Sequence, residues 1–150
     1  MNADRKVTIL IPTDYGKSES NFYHLYFILT DPCFNGETGQ EDSVLSVSCS
    51  SIKQGKVFDN TCVLKAGEHE FIRHDSFVFY RHLRIDSASI INQKVAQGLF
   101  ITKTMISDDI YRRILKGVLV SRNTERQYIR FLKSAIKQGA CFDVFNVPEK

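Results

Sequence analysis

The chain lacks any apolar run approaching the ~18 residues that a membrane-spanning helix requires. Its charged start, Met-Asn-Ala-Asp-Arg-Lys, resembles the head of a signal peptide. The apolar stretch behind it, Val7 to Pro12, is too short for one, and no small-residue cleavage site follows. A cytoplasmic protein with no membrane partner is the expectation. Cys33, Cys49, Cys62 and Cys141 lack CxxC spacing, so no zinc or other metal site is expected. The sequence also lacks a Walker loop, GxGxxG, HExxH and GxSxG. Those absences argue against nucleotide hydrolysis, Rossmann redox chemistry, zinc proteolysis and α/β-hydrolase chemistry, and they leave no cofactor to expect. Internal repeats and low-complexity tracts are missing too.

What is present fits one α+β domain spanning residues 1–150. A chain of 150 residues buries roughly 70% of its unfolded surface without staples. Two disulfides are arithmetically open to four cysteines, but a core this large does not need them. Cys49 and Cys62 alternate with polar residues as small core hydrophobes do. Apolar and β-branched runs predict strands at Val7–Pro12, Phe22–Thr30, Ser43–Cys49, Thr61–Leu64 and Ser76–Ile85. Asn35-Gly36 and the polar stretches between these runs supply the turns. Five strands on short turns imply a strongly bent sheet or small barrel, about 5–103. Val44 and Leu45 break the alternation of their strand, and Ser76–Ile85 has no clean polar face. Protein on both sides of the last strand is the simplest cause.

A helical extension, about 107–139, follows. Ser107 reads as an N-cap with Asp108 and Asp109 in the first turn. Ile110, Ile114, Leu115, Val118 and Leu119 form the buried stripe. A second helix is predicted from Asn123 or Thr124, with Tyr128, Phe131, Leu132, Ala135 and Ile136 inward and Gly139 as its terminating glycine. Phe142–Val147 reads as a short terminal strand. The whole chain carries a net charge of +3, yet Tyr111 to Gln138 holds eight cations against Glu125 alone. Arg112, Arg113, Arg126 and Arg130 lie in this segment. Its face suits a polyanion, an acidic protein or plain solvent.

Ionisable groups crowd one loop, Gly67 to Ser76. Glu68, His69, Arg73 and His74 supply the acid, base and cation that a ribonuclease needs, and equally the charges of a solvated turn. His24 and His82 fall in predicted strands, where a half-buried histidine satisfied by its neighbours is the commoner role.

The order of parts resembles the MazF/PemK family of toxin endoribonucleases over about residues 22–121. His24 to Phe58 carries the likeness: an apolar strand, an Asn-Gly turn, then Val47-Ser48-Cys49-Ser50-Ser51 followed by Lys53, Gly55 and Lys56. Asp75 to Tyr80, Leu83 to Ile85, Gln97 to Phe100 and the helix after Ser107 continue it. The resemblance implies an SH3-like antiparallel β-barrel with the basic helices outside. It implies a homodimer that cuts single-stranded RNA without metal and is held by an acidic antitoxin protein. The family's catalytic threonine falls on Ser50, and its histidine on His24. Its arginine falls on Leu25, which cannot stabilise charge on a phosphate. Lys17, Lys53 and Lys56, with Ser51, are the substitutes to look for around the phosphate. Without them the resemblance implies a module that binds RNA or protein and does not cut, in a toxin–antitoxin or phage-defence setting. The residues from Arg122 onward exceed the family's usual length.

Overall fold

The computed structural model describes residues 2–12 and 23–146. Six antiparallel strands form one curled half-barrel sheet in the order β4-β5-β3-β2-β1-β6. They are β1 (Thr8–Pro12), β2 (Tyr23–Ile28), β3 (Ser43–Ser51), β4 (Val63–Leu64), β5 (Ser76–Ser87) and β6 (Ile101–Lys103). Three helices accompany them: α1 (Ala88–Ala96), α2 (Asp108–Val120) and α3 (Arg126–Lys137).

Both faces of the sheet are packed. Leu25, Phe27, Leu45, Val47, Val78 and Tyr80 meet the inward stripes of α2 and α3. On the other face, Ile9, Tyr26, Ile28 and Val44 pack against Ala88 and Ile91 of α1 and against Phe100. This explains why Val44 and Leu45 are consecutive and both buried. The four cysteines are buried free thiols.

The expected α+β class holds, with differences of detail that have physical causes. β2 ends at Ile28, before the expected Thr30. Thr30 turns its hydroxyl to accept from the Leu45 amide at 3.1 Å. Phe22 and Val147, expected at strand ends, lie outside the described residues. Phe142–Asn146 is not a strand: Val144–Asn146 forms a 3-10 turn. α3 starts later than Asn123 because Ser121 and Asn123 are both bonded to Asp59. Sequence reading passed over α1 and β6 altogether. α1 buries only Ala88 and Ile91 and so shows little periodicity. Its start is fixed from a distance: the Asp42 carboxylate accepts from Ser87 Oγ, the Ser89 amide and Ser89 Oγ at 2.7–2.9 Å. β6 is three residues long and pairs with β1.

The sheet does not close through its backbone. Among the described residues its edges, β4 and β6, pair with inner strands and not with one another. The loop after β4 spans the gap. His69 is buried, its Nδ1 accepts from the Phe71 amide at 3.0 Å, and its Nε2 lies 2.7 Å from the Thr104 carbonyl just past β6. With Nδ1 an acceptor, Nε2 is the protonated nitrogen and donates. Thr8 Oγ1 donates to the same carbonyl at 2.8 Å. Glu70 adds two bonds to Thr104, from its amide and its hydroxyl.

α2 sits unusually close to β5. Tyr80 is fully buried and donates its hydroxyl to the Ile114 carbonyl at 2.8 Å. A β-carbon on Gly117 would fall 1.8 Å from that hydroxyl oxygen. Gly117→Ala is therefore expected to lower unfolding free energy by ~1–3 kcal/mol, read from urea denaturation midpoints. His69→Ala removes the bonds of this buried imidazole to the Phe71 amide and the Thr104 carbonyl and is expected to cost ~1–3 kcal/mol. Faster hydrogen exchange at Phe71 and along β6 is the accompanying sign.

The Asp42 cap predicts an acid dependence. Its three donors hold the carboxyl down at about 2, below the ordinary 3.8. A depressed carboxylate contributes stability that is complete above its unfolded value and fades as pH falls through 3.8 towards about 2. Asp42→Asn should flatten that part of the stability profile and lower the plateau above it.

Candidate nucleic-acid interface

β2 and β3 begin as neighbours and then part. Their ladder runs from Ile28↔Ser46 to Tyr26↔Ser48 and stops there. Beyond it, Tyr23–Leu25 stays paired to β1, while Cys49–Ser51 stays paired to β5. The sheet splits between them and opens a cleft of about 540 Å³. Leu25, Cys49 and Ile72 line it with apolar surface; His24, Ser50, Ser51 and Lys53 supply its polar groups. Four residues singled out from the sequence thus share one cleft.

Two smaller hollows adjoin it. One, of about 290 Å³, shares Ser51, Phe71 and Ser76 with the cleft and adds Arg73 and His74. The other, of about 330 Å³, shares His24 and adds Tyr26, Arg84, Lys94 and Phe100. The three form a continuous track over the end of the sheet. Cations meet rings along it: Arg84 lies over Tyr26 at 5.6 Å, Lys94 over Phe100 at 5.7 Å and Lys103 over Phe71 at 5.0 Å.

Leu25 contributes no cation. It is 5% exposed and packs into the core beneath α2 and α3, a place where a guanidinium would be buried against apolar side chains. Lys53 is the exposed cation in the cleft. Lys56 is exposed but lines none of the three hollows. Lys17 lies outside the described residues. Cys49 is no nucleophile there, because burial pushes its thiol up to about 12.

The crowded loop divides by role. Glu68 pairs with Arg113 of α2 at 2.8 Å and accepts from the Lys65 amide. The Arg113 bond is the chief reason its carboxyl lies below the usual range. His69 spans the sheet edges with both nitrogens engaged, so it is not free to exchange a proton with a substrate. Arg73 and His74 alone reach the track. Glu68, His69, Arg73 and His74 therefore do not form one acid–base cluster.

The helical arginines likewise serve the fold. Arg113 also donates to the Val63 carbonyl at 2.7 Å, Arg112 stacks over Phe142 at 4.3 Å, and Arg130 pairs with Glu37. Arg126 is exposed on α3. None of the four lines the track.

Sequence reading missed the pairing of His82 with Phe79 beside the track. A bulge in β5 places Tyr80–Leu83 opposite Val47 alone, between Ser48↔Phe79 and Ser46↔Arg84. Phe79 and His82 would point to opposite faces of a regular strand; here they stack at 4.0 Å with planes 1° apart. Nothing in the order of residues signals that bulge. The chain matches no family model, and no curated protein or solved structure proved similar to it.

Proposed function

We propose that this domain binds single-stranded RNA along the track and cuts it without a metal, as MazF/PemK toxins do. The observation that carries the reading is the meeting of His24, Ser50, Ser51 and Lys53 in the split between β2 and β3. An RNA strand needs cations for its phosphates and flat surfaces for its unstacked bases. Lys53, Arg73, Arg84 and Lys94 supply the first; the exposed Tyr23 and Phe71 supply the second. Ser50 donates its hydroxyl to a phosphate oxygen, Lys53 stabilises the charge that develops there, and His24 moves a proton. The half-barrel with helices outside supports reading the scaffold as an SH3-like barrel. In that reading the domain is a homodimer, and the exposed Arg122 and Arg126 give an acidic antitoxin a docking charge.

A second reading has one observation in its favour. Leu25 sits in the core where the family's arginine would stand, so the same track serves an RNA-binding module that does not cut.

The deciding measurement is cleavage of mixed single-stranded RNA with EDTA present, alongside binding across a salt series. Cleavage by the wild type, reduced ~10²-fold or more in His24→Ala and in Ser50→Ala, supports the toxin reading. Intact RNA with affinity that falls steeply with salt supports the binding module. RNA that is neither cut nor bound removes both.

A further inference from the structure

The exposed end of the α1-side face of the sheet holds a second imidazole that the reading above leaves unused. His24 comes from β2 and His82 from the β5 bulge. Their rings meet edge to face, with centroids 6.5 Å apart. Ser48 of β3 brings its Oγ within 3.4 Å of His82 Nδ1. The stack on Phe79 fixes the plane of the His82 ring. Among the described residues Nε2 of His82 makes no hydrogen bond, so it is the nitrogen available to exchange a proton. His82 is itself exposed, while Ser48 is buried.

We infer that His82 and His24 are the acid–base couple of this site, acting on one RNA phosphate at the exposed end of the α1-side face. The inference rests on the RNA reading and extends its chemistry. In the step, the ribose 2′-oxygen attacks the adjacent phosphorus. The 2′-O–P bond forms as the P–5′-O bond breaks. One imidazole takes the 2′-hydroxyl proton and the other, protonated, gives a proton to the departing 5′-oxygen. The products are a 2′,3′-cyclic phosphate and a 5′-hydroxyl, with no change of oxidation state and no further reactant.

The surroundings favour a couple that shares one proton. Burial, and then the charge of His24, lower the His82 pKa from its ordinary value. That direction suits His82 to the base's part in the proposed couple and leaves the acid's part to His24. Among the described residues, charged and titratable groups near the pair are Tyr26 of β2, Arg84 of β5 with its partner Asp86, and Lys94 of α1. β3 presents only serines there, Ser46, Ser48 and Ser50. The cations oppose a second proton on the pair and attract the phosphate.

The test is kinetic, on a short RNA in EDTA, with the all-deoxy oligonucleotide of the same sequence as an uncleavable binding probe. His82→Gln is expected to lower kcat by ~10²–10⁴-fold while leaving affinity for the probe unchanged. The double variant with His24→Gln should be no slower than the worse single one, because the couple acts as a unit. In the wild type kcat/KM is bell-shaped in pH, and its acidic limb should vanish in His82→Gln. Added imidazole should restore turnover to His82→Ala, which a purely structural histidine would not allow. Wild-type speed and an unaltered pH profile in His82→Gln overturn the inference and leave the ribonuclease reading standing. A wild type that binds the probe but cuts no RNA overturns the couple and keeps the track as a binding site. A wild type that neither cuts nor binds overturns both.

Discussion

The two edges of the curled sheet never pair, and His69 spans the distance between them. Its imidazole replaces part of a missing ladder. One nitrogen holds the loop after β4 to itself, and the other reaches the carbonyl beyond β6. A histidine suits this place because its two nitrogens lie on opposite sides of a rigid ring. One accepts and one donates in the neutral form. The bond also sets the candidate site. The loop that His69 pins delivers Phe71, Ile72, Arg73 and His74 to the cleft and the hollow beside it. If the loop came loose, the cleft would lose one wall and the track would lose its cations at that end.

The placing of His82 beside the track depends on packing against α2. Tyr80 points inward from the bulge and is held by the Ile114 carbonyl, with Gly117 leaving room for its ring. Leu83 points inward as well. With both residues anchored on the helix side, His82 is left on the outer face beside Phe79 and His24. A methyl group on Gly117 would thus act at a distance on the imidazole pair. Stability and chemistry are joined here through one side chain.

Charge divides along the same lines. Three of the four helical arginines marked out by composition are bound to acids, a ring or a carbonyl of the fold itself. None of these four arginines lines the hollows at the end of the sheet. The cations that line the track come singly from different elements. Lys53 follows β3, Arg73 precedes β5, Arg84 lies in β5 and Lys94 in α1. No local count would group them. The elements must first be brought together.

The sequence by itself determined the class, five of the six strands to within a few residues, and the two amphipathic helices. Each of these is a local matter of period, caps and turn residues. Ser107 and Gly139 mark helix ends wherever such helices occur. It also picked out Ser50, His24, Ser51 and Lys53, which the split between β2 and β3 gathers into one cleft. Tertiary structure alone decided the rest, because long-range partners made the choices. Asp42 starts α1 from the head of the neighbouring strand β3. His69 is claimed by Thr104. Leu25 is drawn into the core by α2 and α3. The bulge turns His82 to face His24 while Tyr80 and Leu83 are buried on the helix side.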